Sequence, residues 1–90
     1  GFIGQLYSNV YHKSLPRTTS EIDKASSRVS KSSLREGDLV FFDINKKKSS
    51  HIGVYLQNDK FVHASSSKGV IISDLSNPYY QKTFSKGGRK

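Results

Sequence analysis

The sequence predicts an α+β fold in which N-terminal helices pack on an antiparallel β-sheet. Three observations predict it. Apolar residues recur at helical spacing early in the chain, and later runs are rich in β-branched and aromatic residues and bounded by turn formers. Helical patterns thus come first and strand patterns second. Neither an internal repeat nor a linker-like stretch divides the 90 residues, a length that makes one domain at most, 1–90.

The elements follow in order. From Gly1 to Tyr11 the residues Phe2, Ile3, Leu6, Tyr7 and Val10 form one apolar stripe, which predicts an amphipathic helix starting at or before Gly1. Its N-terminal dipole favours a negative group such as a thiolate. His12, just past it, reads as a surface histidine at the helix C-terminus. Leu15-Pro16-Arg17 interrupts the helix, because Pro16 lacks a donor and pushes its predecessor toward extended geometry. Thr18 and Glu21 have capping-box spacing, and Ile22, Ala25 and Val29 supply an apolar face, so a second helix is expected near 19–27. Residues 30–33 read as a connector, and 33–37 as a single helical turn closed by Gly37. Asp38-Leu39-Val40-Phe41-Phe42 has no alternation and is apolar throughout its centre, the pattern of a central strand buried on both faces. Residues 43–50 read as a lysine-rich loop, 65–69 as a second loop and 70–75 as a strand. Asn77 is placed to cap a short helical turn with Pro78 at its first position. From Thr83 the chain is expected to add a last edge strand, weakened by Gly87-Gly88.

Between these lies the stretch 50–65, which carries two of the three histidines and reads as a β-hairpin across Asn58-Asp59. A slip of one residue sends every side chain to the opposite face. A two-residue loop would put Ile52, Val54 and Leu56 on the face of His63 and Ser65. A three-residue loop, 57–59, sets Leu56 opposite Lys60, Val54 opposite Val62 and Ile52 opposite Ala64, and is preferred. His51, Gly53, Tyr55, Phe61, His63 and Ser65 then share a second, polar face, with His63 opposite Gly53. His51 and His63 become diagonal neighbours about 7 Å apart by backbone, within reach of two imidazoles. In such a pair one ring can act as general base while the other fixes its tautomer. Spacing alone leaves open an acid/base pair or two unrelated strand histidines. A metal site is disfavoured, since the chain has no cysteine and no carboxylate at ligand spacing nearby, and nothing calls for a cofactor.

The formal charge of +8, from fifteen Lys and Arg against seven acids, favours polyanionic surroundings. The basic residues are scattered, apart from Lys46-Lys47-Lys48 and the tail Lys82, Lys86, Arg89 and Lys90, and are not interleaved with aromatics. A solvated basic surface is the reading, and nucleic acid is not an expected partner. No run approaches a transmembrane span and no signal peptide is visible, while the opening Gly1 in place of Met leads us to expect a missing upstream segment. Ser50 and 65–67 lie near the histidines, but serines at such places are usually loop or strand-end hydrogen-bonders, so none is taken as a nucleophile.

Several pieces, in order, resemble the NlpC-type, papain-like cysteine peptidases of bacterial cell walls. They are Gly1-Phe2-Ile3, Leu15-Pro16-Arg17, Gly37-Asp38-Leu39-Val40-Phe41-Phe42, His51-Ile52-Gly53-Val54-Tyr55 and Phe61-Val62-His63-Ala64-Ser65. Gly69-Val70-Ile71-Ile72-Ser73 and Pro78-Tyr79-Tyr80 extend the match over nearly the whole chain. The resemblance implies the papain-like NlpC-type fold, His51 as general base and His63 as the residue that orients it. It implies a nucleophilic cysteine two residues before Gly1, so that the domain is truncated at its N-terminus and the 90 residues alone are expected to be inactive. Ser50 and Ser65 would line the substrate groove, and Arg17 could meet a substrate carboxylate, although a structural role in the connector is the alternative. The implied substrates are peptidoglycan stem peptides, commonly cut between D-γ-glutamyl and diaminopimelyl residues, in the periplasm or outside the cell. A non-catalytic peptidoglycan-binding domain of the same fold is the competing reading.

Overall fold

A computed structural model describes residues 2–65 and 67–90; Gly1 and Ser66, where the start of the first helix and part of the 65–69 loop were expected, lie outside the described residues. In chain order come helix α1 (Phe2–Tyr11), helix α2 (Thr19–Ala25), strand β1 (Ser27–Val29), a 3-10 turn (Lys31–Ser33), strands β2 (Leu39–Ile44), β3 (Lys47–Tyr55), β4 (Lys60–Ser65) and β5 (Gly69–Asp74), helix α3 (Pro78–Thr83) and strand β6 (Phe84–Arg89). The strands form one sheet in the order β1-β6-β2-β3-β4-β5, every neighbouring pair antiparallel. The chain is therefore α+β, with α1 and α2 leading, as its patterning predicts.

The middle of the sheet is covered on both faces, and this explains the alternation-free β2. Its odd residues Leu39 and Phe41 join Ile52 and Val54 beneath Ile3 and Tyr7 of α1 and Ile22 of α2. Its even residues Val40 and Phe42 join Phe61 and Leu75 on the other side, closed by Tyr80 of α3, Phe84 and Leu34. Val10 is 53% exposed, so the apolar stripe of α1 is one turn shorter than expected. His12 follows α1 as an exposed residue with φ +55, its amide bonded to Ser8 O, a left-handed cap at the helix C-terminus.

Local signals hold where a side chain closes the backbone. The Thr18 hydroxyl accepts the Glu21 amide at 3.1 Å and bonds its carboxylate at 2.9 Å, while the Asn77 carbonyl oxygen accepts the Tyr79 amide with Pro78 in the first turn. Four expectations are corrected. Helix α2 stops at Ala25, and 27–29 form β1 in place of a helix end. The helical turn near Gly37 falls earlier, at Lys31–Ser33, leaving Gly37 in a turn at φ +91. The 43–50 loop is a tight hairpin: Ile44 pairs with Lys47 across Asn45 and Lys46, both at positive φ. The last strand is no edge. β6 lies between β1 and β2, where a Cβ on Gly87 would stand 2.9 Å from Val29 O and one on Gly88 would stand 3.0 Å from the Phe41 ring. The glycines admit close neighbours on both sides, which is a reason for glycine in a central strand.

Candidate functional site

A groove of about 230 Å³ runs between the helical layer and the middle of β3. Phe2, Ile3 and Gly4 from the first turn of α1 form one wall; Pro16 and Arg17, with Thr19 and Ile22 of α2, form the second. Ser50, His51 and Ile52 of β3 and Ala64 of β4 close it. A further recess of about 310 Å³ on the other flank of His51 is lined by Ile44, His63, Ala64, Ser65, Tyr79 and Tyr80.

The hairpin that delivers His51 and His63 has the expected register. Val54 pairs with Val62 and Tyr55 with Phe61, which makes 57–59 a three-residue loop, with Asn58 at φ +53 and Asp59 at φ +64. The imidazoles meet: His51 Nε2 and His63 Nδ1 are 2.8 Å apart, with ring centroids 5.0 Å apart and planes at 87°. Gly53 is needed for this, because a Cβ there would stand 2.8 Å from the Phe61 ring that supports His63 from below. One expectation about this face is overturned. It is not polar: Phe61 and His63 are 0% and 1% exposed, in the second core layer under α3. Register therefore follows from which apolar residues meet α1 and α2, since both faces are buried.

Burial controls the charge of the pair. Desolvation pushes the His51 pKa down, and desolvation followed by the neighbouring His51 charge pushes His63 down to about 4. His63 is thus neutral at pH 7, with one N–H and one lone pair to place. Its second ring nitrogen, Nε2, lies 2.8 Å from Ser73 Oγ on β5. His51 Nδ1 has no hydrogen bond to any described residue, and His51 is the one histidine of the pair that lines the groove beside α1.

The remaining candidates are distributed unevenly. Arg17 is exposed on the groove wall and makes no ion pair among the described residues. Ser50 lines the same groove, but its hydroxyl bridges Ile44 N at 3.1 Å and Ile44 O at 3.0 Å and so clamps the β2–β3 turn. Ser65 lines the second recess and accepts the Lys68 amide at 3.2 Å, a loop-capping bond of the kind expected for it. Ser73 was not a candidate. It stands in the run Val70-Ile71-Ile72-Ser73, and only the pairing of Phe61 with Ser73 brings its side chain to His63. Among the described residues no group of three metal-ligating side chains converges, and no helix is long and apolar enough to cross a membrane.

Comparison with known proteins shows the family and the fold. The model of the NlpC/P60 family matches residues 1–89. The murein DD-endopeptidase MepS/murein LD-carboxypeptidase of Escherichia coli (strain K12) is 40% identical over 89 residues, covering 99% of this chain and 47% of that protein. The chain spans about half the length of the curated relatives it matches over nearly its whole length. A Staphylococcus aureus subsp. aureus Mu50 structure described as similar to lipoprotein, NLP/P60 family, superposes with TM-score 0.80 at 28% identity, over 97% of this chain and 30% of that one. RipD from Mycobacterium tuberculosis, described as a non-catalytic NlpC/p60 domain protein adapted to peptidoglycan binding, superposes with TM-score 0.76 over 100% of this chain and 63% of its own; at 20% identity the likeness concerns the fold alone.

Proposed function

The chain belongs to the NlpC/P60 family, and from that premise we propose that 1–90 is the greater part of a single cysteine-peptidase domain that hydrolyses amide bonds in peptidoglycan stem peptides. The carrying observation is the 2.8 Å contact between His51 Nε2 and His63 Nδ1, with His51 on the groove wall at the first turn of α1. The nucleophile is a cysteine in a segment preceding Gly1, since the 90 residues contain none. At the start of α1 the helix dipole favours its thiolate.

In this reading His51 Nδ1 takes the thiol proton, and the thiolate adds to the stem-peptide carbonyl carbon. The tetrahedral intermediate collapses to a thioester as the C–N bond breaks, and the His51 imidazolium returns its proton to the leaving amine. Water, deprotonated by His51, then cleaves the thioester and restores the thiol. His63, neutral and buried, orients His51 by holding the His51 Nε2 with its own Nδ1. Arg17 and Ser50 line the groove that would receive the peptide, Ser65 lines the recess beyond His51, and the Arg17 fork suits a peptide carboxylate. A relative named as a murein endopeptidase supports this substrate class and an envelope location, periplasmic or extracellular.

The test is digestion of purified muropeptides by the full-length protein, with products identified by mass. Cleavage should vanish on thiol alkylation, and His51→Ala should lower kcat by at least about 10³-fold, as loss of a nucleophile's base does. Cleavage that survives alkylation overturns the proposal. So does wall binding without cleavage, which would instead favour the non-catalytic binding domain.

A further inference from the structure

The bond between His63 Nε2 and Ser73 Oγ bears directly on which nitrogen of His51 carries a proton. A neutral imidazole has one N–H and one lone pair, so the chain His51, His63, Ser73 can run in only two directions. In one, His51 Nε2–H donates to His63 Nδ1 and His63 Nε2–H donates to Ser73 Oγ, which leaves the His51 Nδ1 lone pair at the groove. In the other, the Ser73 hydroxyl donates to His63 Nε2, His63 Nδ1–H donates to His51 Nε2, and His51 Nδ1 is protonated and useless as a base. When His51 gains a second proton only the first direction survives, and the His63 Nε2–H, in a ring 1% exposed, then needs an acceptor.

We propose that Ser73 is a positioning residue: its hydroxyl accepts the His63 Nε2–H, and through His63 it keeps the lone pair of His51 on Nδ1, turned to the groove. The register suits this role. Ser73 pairs with Phe61 and His63 with Ile71, so Ser73 lies diagonal to His63 on the same face, at a residue that is itself partly exposed. Burial holds His63 neutral, so it transmits a proton position without taking up charge. The titratable or charged side chains facing the pair are Tyr79 and Tyr80 of α3, across the far recess, and Arg17 across the groove. None of them has a hydrogen bond to either ring among the described residues.

The significance for catalysis rests on His51 being the base, as proposed above; the hydrogen-bond direction does not. Imidazole 15N shifts of the uniformly labelled protein read both tautomers and both titration midpoints. Nε2-protonated His51 and His63 are expected. Ser73→Ala should convert His51 to a mixture of tautomers and lower its midpoint by about one pH unit, the effect of an orphaned buried donor on the charged state. Ser73→Thr should restore both. A wild-type His63 protonated on Nδ1 overturns the proposal whether or not the alanine variant folds, and so does a folded Ser73→Ala with wild-type tautomers and midpoints. The measurement needs neither nucleophile nor substrate, so its failure and a failure to cleave muropeptides are separate results.

Discussion

At the scale of single residues, His63 is the most consequential side chain outside the groove. It is 1% exposed with its pKa pushed down to about 4, against about 6.5 in an unfolded chain. Between those values the unfolded state binds more protons, so stability rises with pH through this window and falls on acidification from about pH 6.5. The depressed His51 pKa acts in the same direction. Full loss across the window is on the order of 3 kcal/mol, from about 1.4 kcal/mol per pH unit of difference. Urea unfolding should show the midpoint falling between pH 7 and pH 5, above the range where ordinary carboxylates titrate, and His63→Gln should flatten that slope. A midpoint constant over this interval in the wild type would contradict the burial of a neutral His63. The pairing of the histidines was legible in the sequence because turn length fixes register. The burial of His63 was not, since 60–65 alternate in a way that fits a half-solvated ribbon equally well; what hides that face is α3, folded back from the far end of the chain.

Among the elements, legibility followed the source of the ordering. β2 was readable because four successive apolar residues, Leu39 to Phe42, are buried and leave the run no polar face. α2 and α3 were readable from caps within three residues of their starts. The β2–β3 turn was not, because it places Lys46 at φ +62, a conformation that lysine does not advertise. β6 was misplaced at the edge because glycine in a strand signals weakness as readily as crowding. The two readings predict opposite signs for one substitution. At an exposed edge, Gly87→Ala would stabilise by about 0.5–1 kcal/mol through reduced chain entropy. In the observed position the added methyl meets Leu34 Cδ2 at 2.7 Å and the Val29 carbonyl oxygen at 2.9 Å. Leu34 can turn away, but the Val29 oxygen is fixed by the β1 backbone, so we expect a loss of about 2 kcal/mol, the usual cost of overpacking. Chemical denaturation gives the sign directly, and amide exchange should accelerate first in 27–29, the strand held by 87–89.

For the whole molecule, the question is what joins the last strand to the sheet that carries the histidines. β6 pairs with β1 and β2, and its end is locked by Arg89, whose Nε and Nη2 donate to the two carboxylate oxygens of Asp38 at 2.9 and 2.7 Å. Asp38 is 4% exposed and also accepts the Arg35 amide at 2.8 Å, while Arg89 Nη2 reaches Ser33 O at 3.3 Å. One ion pair therefore ties the C-terminal strand, the 3-10 region and the entry to β2. The partly exposed guanidinium gains little by itself, but the buried carboxylate is costly to leave alone. Arg89→Ala should lower the denaturation midpoint, because it leaves a carboxylate that is 4% exposed without its counter-charge. Adding Asp38→Asn to that variant should recover part of the loss, because a neutral amide can still accept the Arg35 N–H without an uncompensated charge. Additive losses in the double variant would mean that the pair is not coupled. The same comparison tests whether the sheet unfolds as a unit. With one cooperative transition, amides of β3 and β4 at the histidines and those of β6 should lose equal protection in Arg89→Ala; unequal loss would separate the His51–His63 hairpin from the strand that Asp38 anchors.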